Sequence, residues 1–101
     1  MRNTYNIYLI SDSTGETLDR IFMALKAQFK NFEHNLYHFS FSRTENQILK
    51  IIEDAKKKED SIILYTIVDN KLAKFLSQES NKKNIPCFGV LGDLILNFSK
   101  L

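Results

Sequence analysis

Cysteine is all but missing from these 101 residues. Cys87 stands alone, so no internal disulfide and no cysteine-built metal cluster can form. No apolar run approaches the length of a membrane span, and a reducing cytoplasmic setting is the expectation. Glycine is scarce too: Gly15, Gly89 and Gly92 are the full set, and their positions exclude a dinucleotide fingerprint and a Walker loop. Excess charge of one sign is also lacking, since a net charge of +2 argues against a nucleic-acid partner. Lysines do cluster at 56–58 and 82–83, but Glu59 and Asp60 follow the first group. Both clusters read as solvated helix ends. Nothing at the start reads as a secretory leader, because Met1-Arg2-Asn3-Thr4 leads straight into a short apolar run.

What is present is an ordinary globular composition, 44% hydrophobic and 26% charged, in a chain long enough for one domain and not for two. Four apolar runs alternate with four helical patterns. Tyr5 to Ile10 is the first strand, followed by a helix with Leu18, Ile21, Phe22, Leu25, Phe29 and Phe32 on one face. His34 to Phe41 alternates as an edge strand does, and Ile48, Ile51, Ile52 and Ala55 form the stripe of a second helix. Ser61 to Val68 suits a strand covered on both faces. Leu72, Phe75 and Leu76 mark a third helix, Pro86 to Leu91 a fourth strand, and Leu94, Ile95 and Phe98 a last helix.

Helix starts are signalled by caps. Ser13 with Glu16 and Thr44 with Gln47 have capping-box spacing, and Asp69 and Asp93 are placed to cap the third and fourth helices. A repeated strand–helix unit with short connections implies right-handed crossovers and a parallel sheet covered on both faces. The most apolar strands belong in the centre. The expected fold is therefore α/β: a Rossmann/flavodoxin-like three-layer sandwich with a four-stranded parallel sheet of order 2-1-3-4, one domain over residues 1–101.

Ligands of such sheets bind beyond the carboxyl ends of the strands, where strand order reverses. That point falls between strands one and three. It gathers Ser11 to Thr17, Thr66 to Asp69, and Ser42, Arg43 and Thr44 from strand two. Ser11, Asp12, Ser13, Thr14, Gly15 and Thr17 make a hydroxyl-rich turn at a helix N-terminus, a natural anion site. The same residue types also make a well-capped turn with no ligand. Asp12 is the candidate general base; it can equally orient a hydroxyl or hold a metal. Arg43 can grip a phosphate or carboxylate bidentately, or serve as a solvated loop cation. Thr66 can donate to a ligand or to local backbone. His34 and His38 share a strand face, but two ligands are too few for a zinc site. Cys87 is not followed at phosphatase spacing by an arginine, because Asp93 stands there. A response-regulator receiver would need an aspartate where Thr66 ends the third strand.

The run Ile7-Tyr8-Leu9-Ile10-Ser11-Asp12-Ser13-Thr14-Gly15-Glu16-Thr17 closely resembles the opening of the pyruvate, phosphate dikinase regulatory protein family, which includes the phosphoenolpyruvate synthase regulators. Phe41 to Thr44, Ile63 to Val68 and Ile85 to Cys87 agree in order and position. The resemblance implies a serine/threonine kinase and phosphorylase that uses ADP to phosphorylate a threonine of the dikinase. It then removes that phosphate with inorganic phosphate, forming pyrophosphate. ADP and phosphate would be substrates of the full-length family, with no cofactor or metal bound by this chain alone. The dikinase or the synthase would be the partner, and a homodimer is carried as a further expectation. The family's nucleotide-binding P-loop lies in a C-terminal domain that has no counterpart in residues 1–101. The expectation is thus a truncated form, inactive by itself. A non-catalytic docking module and an unrelated flavodoxin-like anion-binding domain are the alternatives.

Overall fold

The computed structural model describes residues 4–101; Met1, Arg2 and Asn3, which open the stretch read for a leader, lie outside it. Eight elements alternate: β1 (Tyr5–Ser11), α1 (Glu16–Lys26), β2 (His34–Phe39), α2 (Glu45–Lys57), β3 (Ser61–Thr66), α3 (Asn70–Lys82), β4 (Cys87–Gly89) and α4 (Gly92–Ser99). All strand pairs are parallel and the sheet order is β2-β1-β3-β4. This is the three-layer α/β arrangement expected from the pattern. Among the described residues no helix is long and apolar enough to cross a membrane.

Alternation along β1 splits the core in two. Tyr8 and Ile10 join Ile63 beneath α2 and α3, where Ile48, Ile51, Ile52, Ala55, Leu72 and Leu76 are buried. Ile7 and Leu9 join Leu64 beneath α1, against Leu18 and Phe22. Both faces of the central strands are therefore removed from water, which is why β1 and β3 read as nearly unbroken apolar runs.

With so few glycines, the turns leading from helix to strand use other residues. Asn31, Asp60 and Asn84 each sit at positive φ, between 54° and 60°. Asn and Asp tolerate that left-handed region because their short side chains bond locally. The lysine clusters do fall at helix ends: Lys56, Lys57 and Lys82 occupy last turns. There they complement the negative end of the helix dipole.

Several boundaries differ from those expected. α1 stops at Lys26 and does not continue to Phe32. Leu25 and Phe29 are exposed, while Phe32 packs back from the loop onto Tyr5 and Phe22. β2 ends at Phe39, β3 at Thr66 and β4 at Gly89, each short of the expected end, because the trailing residues leave the ladder to build loops. The capping box at Thr44 and Gln47 is present, and Asp69 caps α3 by accepting from the N–H groups of Lys71 and Leu72. The box at Ser13 and Glu16 is not formed. Gly15 takes the N-cap position of α1 in a left-handed conformation with no side-chain cap, and Glu16 pairs with Arg20. Asp93 is likewise no cap: Leu91 precedes α4, and Asp93 lies in its first turn.

Candidate functional site

The strands end in step, and this builds the site. Asp12 N–H donates to the Thr66 carbonyl at 3.2 Å, extending the β1–β3 ladder by one rung. The loop after β2 closes from the other side: Ser42 N–H donates to the Ser11 carbonyl and Phe41 N–H to the Ser13 carbonyl, both at 2.9 Å. Ser11 is the hub. The residue is 1% exposed; its hydroxyl accepts from Ser13 N–H at 3.1 Å and Thr66 Oγ1 at 3.3 Å, and lies 3.2 Å from Ser13 Oγ. With both lone-pair positions taken and its proton facing Ser13, it is committed to holding the turn.

Asp12 is tied at one oxygen. Its Oδ2 accepts from Val68 N–H at 2.8 Å, and Oδ1 has no hydrogen-bond partner among the described residues. Arg43 donates from Nε to the Asp12 carbonyl at 2.9 Å, with its guanidinium 5.1 Å from the centre of the Phe41 ring. Its two terminal nitrogens remain without partners among the described residues. Phe41 holds a φ of 53°, a strained value for a bulky residue and placed directly beside the site. Gln47 fixes this loop through Oε1, which accepts from the N–H groups of Arg43 at 2.8 Å and Thr44 at 3.0 Å.

A cleft of about 160 Å³ opens at this edge, lined by Asp12, Ser13 and Thr17 of the first loop, by Tyr65 to Val68 at the end of β3, and by Leu91, Gly92 and Ile95 around the start of α4. Burial raises the Tyr65 phenol above its ordinary value, helped by the negative forms of Cys87 and Asp93. Tyr65 is therefore a neutral hydroxyl at any physiological pH. Burial also pushes up the Cys87 thiol, against a smaller opposing effect of the Ser80 hydroxyl. A thiol kept protonated is a poor nucleophile, which leaves Cys87 outside the chemistry.

The sequence-predicted residues are thus divided. Ser11, Asp12, Ser13 and Thr66 meet through hydrogen bonds, and Thr17 joins them at the cleft. Gly15 shapes the turn at φ 85°. The Thr14 carbonyl accepts from Ser40 Oγ at 2.8 Å, and Thr14 Oγ1 accepts weakly from Glu16 N–H at 3.4 Å. Arg43 braces the turn from outside the cleft. Sequence reasoning missed Ser40 and the wall made by Ile95. Ser40 follows β2 in a run already rich in hydroxyls, and nothing local marked it. The histidines are accounted for otherwise: His38 Nε2 lies 2.6 Å from Asp19 Oδ1, and His34 packs against Phe22 and Phe32.

Fold and loops together define an α/β domain with a small cleft of mixed polar and apolar lining at the carboxyl edge of a parallel sheet. Residues 7–101 match the kinase/pyrophosphorylase family, and the chain belongs to that family. It is 64% identical over 101 residues to a protein of Pelagibacter ubique named as a pyruvate, phosphate dikinase regulatory protein, covering all of this chain and 37% of that relative. Similarly named proteins of Geotalea uraniireducens and Agrobacterium fabrum are 37% and 38% identical, over 94% and 93% of this chain and 35% and 34% of theirs. The chain spans about a third of the length of these relatives and matches their N-terminal part.

Proposed function

We propose that this domain serves regulation of pyruvate, phosphate dikinase as the N-terminal portion of an ADP-dependent threonine kinase and phosphate-dependent phosphorylase. In the forward reaction the threonine oxygen attacks the β-phosphorus of ADP, the bond to the bridging oxygen breaks, and AMP leaves. In the reverse, inorganic phosphate attacks the phosphothreonine phosphorus, returning the hydroxyl and releasing pyrophosphate. Family membership and the relatives' names support the regulatory role.

The observation that carries the reading is the division of charge across one small edge. The Thr17 N–H at the start of α1, beside the cleft, has no hydrogen-bond partner among the described residues. With the terminal nitrogens of Arg43, it suits phosphate oxygens. The Asp12 carboxylate repels an anion but suits a hydroxyl proton. Thr14, Ser13 and Thr66 supply hydroxyls between these poles. A cleft of about 160 Å³ falls below the roughly 300–1,000 Å³ of pockets that enclose larger ligands. It fits a threonine or phosphothreonine side chain and leaves the nucleotide to the remaining length of the family's proteins, where the P-loop is expected.

The test is to join this chain to the remaining length of the Pelagibacter relative and assay it on dikinase, first with ADP, then with phosphate. Arg43→Ala in that protein is expected to impair both reactions. Both reactions intact in the variant would remove Arg43 from the site, and no transfer by the parent would remove the reading. The small cleft also favours a second reading, in which this domain only docks the dikinase threonine loop. Dikinase binding by the lone chain, with both reactions unaffected by Asp12→Asn and Arg43→Ala in the joined protein, would select it.

A further inference from the structure

Helix α4 has no interior. It spans eight residues, lacks a side-chain cap and buries none of its side chains. Isolated helices shorter than about 12–15 residues are marginal in water, so a helix like this one depends on tertiary cover. Ile95 and Leu96 line an open groove against Ala73, Lys74 and Ser77 of α3, with a volume of about 380 Å³. Leu94 and Phe98 lie one turn apart on the helix, and they are 55% and 66% exposed. Asp93 and Lys100 lie at either end of this stripe, and no charge interrupts it. On the strand just before, Phe88 is also 56% exposed.

We infer that the α4 stripe is the seat of the polypeptide that makes up the remaining length of the family's proteins. The matched part is the N-terminal 37% of the Pelagibacter relative, so in that protein the chain continues directly beyond the helix aligned with α4. A surface with this composition needs an apolar partner held nearby, and a continuing polypeptide is held there by the backbone itself. The inference rests on family membership and exposure, and it stands apart from the phosphoryl-transfer reading. It also has a consequence for the cleft. Ile95 faces both the α3 groove and the cleft that holds Asp12 and Thr66. Polypeptide seated on α4 therefore lies next to a residue of the cleft's own lining.

Hydrogen exchange tests this directly. Amide exchange in α4 is compared between this chain alone and the chain joined to the remainder of the Pelagibacter relative. Exchange in β1 and β3 serves as the control for folding. In the joined protein α4 is expected to exchange at least about tenfold more slowly, as burial of a fraying element requires. Leu94→Ser with Phe98→Ser should abolish that slowing without altering exchange in β1. Should the joined protein misfold, the natural relative gives the same comparison at its aligned helix. Equal exchange with and without the remainder overturns the inference. So does slowing in the lone chain that grows with concentration and accompanies a dimer in sedimentation, which would give the face to a second copy.

Discussion

The carboxylate of Asp12 accepts the Val68 backbone N–H at 2.8 Å, so the residue proposed as general base also clasps the loops after β1 and β3. The two roles can be separated. Asp12→Asn keeps an oxygen for Val68 but cannot act as a base. It is expected to unfold within about 0.5 kcal/mol of the parent, whereas Asp12→Ala loses about 1 kcal/mol. In the joined protein Asp12→Asn should lower turnover by roughly 10²–10⁴. Chemical denaturation and steady-state kinetics read the two effects. Unchanged turnover would leave Asp12 with the clasp alone.

Gly15 provides a second measurement. A Cβ built there would lie 3.6 Å from Ser40 Oγ and 3.7 Å from Ser11 Cβ, ordinary contacts, so the cost of a side chain is backbone strain at φ 85°. Gly15→Ala should destabilise by about 1–2 kcal/mol, and Gly15→Asn by less, since Asn tolerates the left-handed region. Equal losses for the two variants would point to contact in place of φ.

The two spacings that resemble capping boxes should behave differently. Thr44→Ala removes a formed cap and is expected to cost about 1 kcal/mol. It also loosens the Gln47 contacts that steady Arg43. Ser13→Ala removes no cap, but it takes the Oγ that faces the buried Ser11 hydroxyl, so a loss of about 1 kcal/mol in the urea midpoint is expected with amide exchange in the first turn of α1 unchanged. Faster exchange confined to that turn would restore Ser13 as the cap of α1.

Acid stability should depend on Asp54. Hydrogen bonds from Lys58 and from the buried Tyr8 hydroxyl, each 2.6 Å, hold its carboxyl below the ordinary carboxylate range. A depressed folded value contributes stability that is full above the unfolded value near pH 4 and is lost as pH falls through the folded one. Asp54→Asn should therefore flatten the denaturation midpoint below about pH 4. The opposite limb follows from Tyr8, raised first by burial, and Lys58, raised first by its bond to Asp54. Their contributions are complete below the unfolded values near 10 and fade as pH climbs through the folded ones. Tyr8→Phe should weaken that alkaline loss. Identical acid limbs for parent and Asp54→Asn would show that Asp54 is not the group responsible.

Strand order was readable because it depends on apolarity alone: β1 and β3 carry unbroken apolar runs, and these can be satisfied only at the centre of the sheet. The Thr44–Gln47 box was readable because all its atoms lie within one turn. Ser13–Glu16 has the same spacing, yet Gly15 turns left-handed between them and starts the helix late. Phe29 and Phe32 keep helical period beyond the end of α1, but Asn31 at φ 60° breaks the backbone there, a choice that periodicity does not record. In the site, Ser11 and Asp12 were legible as members and their work was not. Ser11 is consumed by Ser13 and Thr66, partners that only the folded sheet supplies. Ile95 was visible as an apolar helix residue, but its place in the same cleft as Asp12 depends on where α4 lands.

The Ser11–Thr66 hydrogen bond joins residues 55 apart in sequence, and that separation has a consequence for the newborn chain. A ribosome delivers the Ser-Asp-Ser-Thr-Gly-Glu-Thr run well before β3. Until β3 has emerged, that run has no sheet edge to close against. Parallel pairing adds a delay, since the closure of long loops must precede the contacts that reward it. The Ser-Asp-Ser-Thr-Gly-Glu-Thr run is therefore made before the cleft it belongs to can assemble, and a nascent chain arrested before Thr66 carries the motif without the site.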